Sequence, residues 1–235
     1  MSVFSGIAGA GAGFIITPVA ILLGLTPAQA ISSGKFNGLA NAIGSLSGLR
    51  KYRSSVTRRS IISIMVLALL IGLTSPLIIK SFESKWYQIT LGVILLLLIP
   101  VMLYSKAGIT AVKPSPRKRT LGYALLTISL FLQGAFSGGL GTLVNVVLMG
   151  MLGMTTNEAH ITKRWSQLVL NITVIFGVLG SGLILWPVDI TGVVGSLVGS
   201  SIGSRIAVRK GDAYANHILL VLMGMAALIL IADAI

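Results

Sequence analysis

The feature that most constrains this chain is its long runs without a formal charge. Ile61 to Ile79, Trp86 to Ser105, Trp165 to Val188 and Ala213 to Ala232 contain no Asp, Glu, Lys or Arg. A helix needs about 20 apolar residues to cross a hydrocarbon core of about 30 Å, so each run is long enough. Phe36 to Leu49 and Ile190 to Ser204 reach that length once their flanks are added. Met1 to Gly34 and Thr120 to Asn157 are too long for one span, and glycine clusters interrupt both: Gly6, Gly9, Gly11 and Gly13 in the first, and Gly134, Gly138, Gly139 and Gly141 in the second. Each reads as a broken helix or a re-entrant hairpin. The expectation is an all-α, multi-pass membrane protein.

Charge placement supports a bilayer rather than a nucleic acid. Across 235 residues, 10% are charged and the net charge is +13. In a soluble protein that excess would suggest phosphate neutralisation. Here ten of the eighteen basic residues fall within Arg50 to Arg59 and Lys106 to Arg119, between apolar runs, as expected for cytoplasmic loops. No nucleic-acid partner is expected. The chain has no cysteine, which excludes disulfides, thiolate metal sites and a Cys nucleophile. No cofactor motif appears, and the first apolar stretch lacks the basic start of a signal peptide.

The two long runs are copies of one another. A shift of 129 residues places Gly9 on Gly138, Leu23-Gly24 on Leu152-Gly153, Thr26 on Thr155, Ala30 on Ala159 and Lys35 on Arg164. The reading is two homologous repeats of about four hydrophobic segments each, at 1–105 and 120–235, joined by a basic cytoplasmic linker at 106–119. Each repeat opens with its glycine-broken segment. Thr26-Pro27-Ala28-Gln29 and Thr155-Thr156-Asn157-Glu158 carry the spacing of a capped helix start. At 1.5 Å per residue, Lys35 and Arg164 then lie about 13 Å into their helices, deep in the membrane. If the broken segments cross, the repeats are parallel and the Arg205–Lys210 loop lies outside. If they are re-entrant, the repeats are inverted and every strongly basic loop lies inside, which positive-inside favours.

An intramembrane cation costs at least about 2.5 kcal/mol and calls for a partner. The acidic residues are Glu83, Glu158, Asp189, Asp212 and Asp233, and only Glu158 is near the repeated motif. A substrate anion could supply the missing charge, with snorkelling or carbonyl pairing as the plainer alternative. His160, Arg164, Gln167 and Asn171 share one helical face, and Ser33, Asn37, Asn41 and Ser45 form a comparable stripe. Lys35 points away from Asn37 on a regular helix, so either the helix unwinds there or Lys35 has another task. The glycines Gly9, Gly11, Gly13, Gly138, Gly139 and Gly141 would let backbone N–H groups meet an anion, or else pack helices closely. Glu158 and His160 are candidates for proton coupling, though a cap explains Glu158 more simply.

These residues resemble the sulfite exporter TauE/SafE family of membrane permeases. The resemblance rests on Gly6-Ile-Ala-Gly-Ala-Gly-Ala-Gly13 with Pro18, on Leu23-Gly-Leu-Thr-Pro-Ala-Gln-Ala30, on their echoes at Gly134–Gly141 and Leu152–Ala159, and on the small-residue run Gly195 to Arg205. Ser33-Gly34-Lys35-Phe36 keeps the Lys of a family motif but lacks its Thr and Asn, and Ala10 and Ala12 replace glycines common in the family. The resemblance implies transport of a small sulfur oxyanion or organosulfonate across the cell inner membrane. The sequence reading is a secondary transporter, not an enzyme, whose substrate-binding residues are Gly9, Gly11, Gly13, Lys35, Asn37, Asn41, Gly138, Gly139, Gly141, Arg164, Gln167 and Asn171. Its expected partners are the small anion and the lipid bilayer, and a homo-oligomer is compatible with it. The rivals are an anion channel and an intramembrane hydrolase built on Ser137 with His160 or His217.

Overall fold

The computed structural model describes residues 13–49, 58–79, 84–104, 114–136 and 140–210, with parts of the segment 220–232. Gly9, Gly11, Gly138, Gly139, Ser137 and His217 lie outside the described residues. Eight helices are described: α1 (Gly13–Leu22), α2 (Pro27–Leu49), α3 (Arg58–Ile79), α4 (Ser84–Tyr104), α5 (Pro116–Phe136), α6 (Gly141–Gly150), α7 (Thr156–Val178) and α8 (Trp186–Lys210). Further helical residues follow between 220 and 232. No strand occurs among the described residues.

Burial runs opposite to that of a soluble protein. Lys35, Asn37, Asn41, Ser45, Gln133, Arg164, Gln167 and Asn171 are buried, while Leu73, Leu77, Phe176, Val194, Val198 and Leu228 are exposed. In water, exposing so much aliphatic surface while enclosing cations would be costly on both counts. In lipid the same arrangement is favourable, because the apolar side chains face hydrocarbon and the polar ones face each other. Ser60–Ile79 of α3 is by itself long and apolar enough to cross a membrane.

The paired helix starts form as their caps dictate. Ahead of α2, the Thr26 N–H donates to Gln29 Oε1 at 3.0 Å and the Gln29 N–H donates to Thr26 Oγ1 at 3.3 Å. Ahead of α7, Thr155 and Glu158 complete the same reciprocal pair at 2.9 and 3.4 Å. Each cap satisfies two N–H groups that a helix start leaves open. The turns before them use Gly24 at φ +88° and Gly153 at φ +69°, where a side chain would be strained.

One expected segment is divided. The uncharged window Trp165–Val188 starts inside α7 and ends inside α8, because α7 stops at Val178 and the chain turns through Gly180 (φ +79°) and Gly182 (φ +73°). The sequence places this turn at Gly180–Val188, and the structure ends it at Leu185, before α8 begins at Trp186. Pro116–Arg119, read as loop, form the first turn of α5.

Small residues set the helix directions. Gly38 of α2 meets Asn171 of α7, and Asn41 meets Arg164, so these two helices run antiparallel. Asn37 lies against Gly192 and Ser196 of α8, and Gly44 against Leu197 and Ser200, so α2 and α8 run parallel. Gly72 and Pro76 of α3 lie against Thr173 and Gly177 of α7, also parallel. Among the described helices the α2–α8 and α3–α7 contacts are the most extensive, followed by α2–α7. Close backbone approach through small residues is how helices associate where no hydrophobic force separates them from lipid.

Helices α5 and α6 fold back on each other. Gly122, near the start of α5, lies beside Met151 and Leu152, just beyond the end of α6. The last residues of α5, Ala135 and Phe136, and the first of α6, Gly141 and Thr142, are buried. There the Tyr87 hydroxyl of α4 donates to the Phe136 carbonyl at 2.8 Å, and the Tyr87 and Phe136 rings stack at 5.4 Å.

Candidate functional site

The central contact of α2 and α7 collects the polar residues singled out by the sequence. Arg164 is 2% exposed, and its Nη1 donates to Asn41 Oδ1 at 2.6 Å and to Gln167 Oε1 at 3.2 Å. Asn41 also accepts from Ser45 Oγ at 3.4 Å. The two sequence stripes therefore meet each other, as the antiparallel crossing requires. Asn171 lies one turn further along against Gly38, which leaves room for the amide because it has no side chain.

Lys35 and Asn37 are both buried although they leave α2 on different sides. The helix is regular throughout Pro27–Leu49, so no unwinding is involved. Burial on two sides follows from the central position of α2, which packs against α1, α7 and α8. Asn37 turns to α8, where its Oδ1 accepts from Ser196 Oγ at 2.8 Å, while its Nδ2 donates to the Ser33 carbonyl at 2.8 Å. Lys35 turns to the hairpin, where its Nζ donates to the Gln133 carbonyl at 2.6 Å. That carbonyl belongs to the last described turn of α5, toward the negative end of the helix dipole. A cation is the natural cap there.

Across the same turn, α6 begins with the opposite polarity. Leu140 precedes it and offers no side-chain cap, and Gly141 and Thr142 are buried. Among the described residues, four buried polar atoms of α5, α6 and α7 lack hydrogen-bond partners: Gln133 Oε1, Thr142 Oγ1, Asn145 Oδ1 and Asn171 Nδ2. Buried polar groups normally find partners, so these atoms have capacity to receive a polar solute. A helix N-terminus and a buried guanidinium each favour an anion.

Comparison with known proteins agrees with this polarity and burial. The family model of the sulfite exporter TauE/SafE matches residues 1–230. The chain belongs to the sulfite exporter TauE/SafE family. It is similar to a probable membrane transporter protein of Haemophilus influenzae, with 27% identity over 95% of this chain and 88% of that one. It is also similar to the probable membrane transporter protein ORF9 of a Sinorhizobium species, with 25% identity over 95% of this chain and 85% of that one. No solved structure matches. This TauE/SafE family member is thus a membrane transport protein.

The remaining candidates fall in different places. Glu158 completes the cap of α7. His160 Nδ1 lies 3.3 Å from Asn145 Nδ2 of α6. Gly13 and Gly141 are the first residues of α1 and α6. Buried polar residues that sequence reasoning did not place in a site include Gln133, Thr142, Asn145, Lys163 and Asp189. Lys163, at 0% exposed, adds a second interior cation next to Arg164. Its only sequence signal is that it precedes Arg164 in the same uncharged surroundings.

Proposed function

We propose that this TauE/SafE protein is a secondary transporter of a small anion, a sulfur oxyanion or organosulfonate such as sulfite or sulfoacetate. The observation that carries the reading is the Arg164 guanidinium, 2% exposed and held among the side-chain amides of Asn41 and Gln167 at the α2–α7 crossing. The orphaned amides of Gln133, Asn145 and Asn171 can rotate to present N–H groups, so the site can surround several oxygens of one anion. Arg164, Gln167, Asn41 and Asn171 form one wall of the binding site, and Thr142 and the start of α6 form the other. Lys35 holds the hairpin turn in place rather than meeting substrate directly.

The site is served by inverted repeats in the cell inner membrane. This topology is supported by the antiparallel α2–α7 crossing and by the paired α2–α8 and α3–α7 contacts, which exchange equivalent helices between the two halves. The return of α6 toward the start of α5 supports a re-entrant hairpin. The 50–57, 105–115 and Arg205–Lys210 segments then share the cytoplasmic side. Alternating access exposes the central site to each side in turn.

The test is thermal stabilisation of purified protein by sulfite, sulfate, sulfoacetate, thiosulfate and acetate, followed by counterflow of the stabilising anion in proteoliposomes. The expected result is stabilisation by one or more sulfur anions and transient uphill accumulation of label. Stabilisation by none of the five would remove the anion site, and a lack of accumulation would indicate a channel.

A further inference from the structure

Asp189 is 1% exposed and stands four residues into α8, on the face that carries Gly192, Ser196 and Ser200 at intervals of three, seven and eleven. That face packs on α2: Gly192 and Ser196 meet Asn37, and Ser200 meets Gly44. The Asp189 carboxyl therefore looks toward α2, beside the Ser33 hydroxyl. Its Oδ2 accepts from the Leu185 N–H at 2.9 Å, which closes the start of α8. Its Oδ1 is buried, with the Ser33 hydroxyl as its polar neighbour. Capping the helix needs only one oxygen, so the other faces Ser33.

The Ser33 hydroxyl suits both states of the carboxyl, donating to an ionised Oδ1 and accepting from a protonated one. A proton bound to Oδ1 removes a negative charge from a low-dielectric interior. The charged groups around the centre are Lys35 from α2 and Lys163 and Arg164 from α7, and α1 contributes none. Asp189 lies about one helical turn from the Lys35 and Asn37 level, so its ionisation changes the net charge that an entering anion meets. We propose that Asp189, with Ser33, is the proton site of this transporter, and that proton and anion bind cooperatively and move in the same direction. The proposal rests on the anion-transport reading above. By linkage, whatever the proton does for anion affinity the anion does for proton affinity.

The sequence pointed instead to Glu158, but both its carboxyl and its backbone N–H are engaged in the cap of α7. Gln29 serves the same cap in the first half, so the role does not require a titrating group.

The test uses purified full-length protein with sulfoacetate, thiosulfate and sulfate, which keep their charge between about pH 5.5 and 7.5. Wild type is expected to bind its preferred anion at least about fivefold more tightly at the lower pH, within the usual range of coupling. Asp189→Asn, which mimics the protonated acid, should bind tightly at both values, and Asp189→Glu should restore the dependence. Glu158→Gln should retain it. Infrared difference spectra give a readout that needs no substrate: the carbonyl stretch of a protonated carboxyl should grow on acidification in wild type and be missing in Asp189→Asn. A pH response that survives in Asp189→Asn, or spectra without that band, would overturn the proposal. If no anion binds but the band is present, the protonation of Asp189 stands and the anion-transport reading falls.

Discussion

Two cations at matching positions of the repeated motif have different tasks. Lys35 donates to a carbonyl at the end of α5, whereas Arg164 donates to side-chain amides at the helix crossing. Lys35→Met should leave the Gln133 carbonyl without its donor and cost about 1–3 kcal/mol of stability, the usual penalty for an orphaned buried acceptor. The anion response, measured as a thermal shift above the lowered baseline, should persist. Arg164→Gln should weaken the anion response about tenfold or more, since a charge-assisted hydrogen bond of about 1.5–3 kcal/mol is lost and each 1.4 kcal/mol is a factor of ten. Equal losses in both variants would mean that Lys35 also meets substrate. Arg164 was legible because its uncharged surroundings and its helical stripe isolate it in the sequence. Asp189 was not, because it sits where an apolar run appears to end, and only the packing of α8 on α2 encloses it.

At the scale of the helix, the cap motifs were readable because their hydrogen bonds are local: Thr26 with Gln29, and Thr155 with Glu158, are three residues apart. The α7–α8 turn was read at Gly180–Val188, and Gly180 and Gly182 take the positive φ values that make it. Glycines with tertiary roles were hidden, because their partners are far away in the chain. On α8, a Cβ at position 192 would come within 2.7 Å of Asn37 Oδ1, while one at position 195 would meet nothing within 4 Å. Gly192→Ala should therefore cost about 1–3 kcal/mol through overpacking. Gly195→Ala, on the same helix, should be neutral or slightly stabilising through its better helix propensity. Melting temperatures of the two variants side by side check this; a neutral Gly192→Ala would argue against the α2–α8 register.

At the scale of the whole molecule, the native absence of cysteine allows topology to be read with single introduced thiols. Ser115→Cys and Arg205→Cys should react with a membrane-impermeant maleimide only from the cytoplasmic side, and Ser181→Cys only from the other. Parallel repeats would instead put positions 115 and 205 on opposite sides. The residues matched at a shift of 129 were visible in the sequence, but how the helices before and after residues 105–115 pack was not. The broadest contacts among the described helices, α2 with α8 and α3 with α7, each join a helix before that stretch to one after it. The two parts of the chain therefore do not meet along a plane where the protein can come apart, and whatever slides or tilts during a transport cycle must draw members from both. Neither fragment of a chain cut within 105–115 should be stable when made alone, yet the two made together should reassemble and co-purify through a tag on one of them.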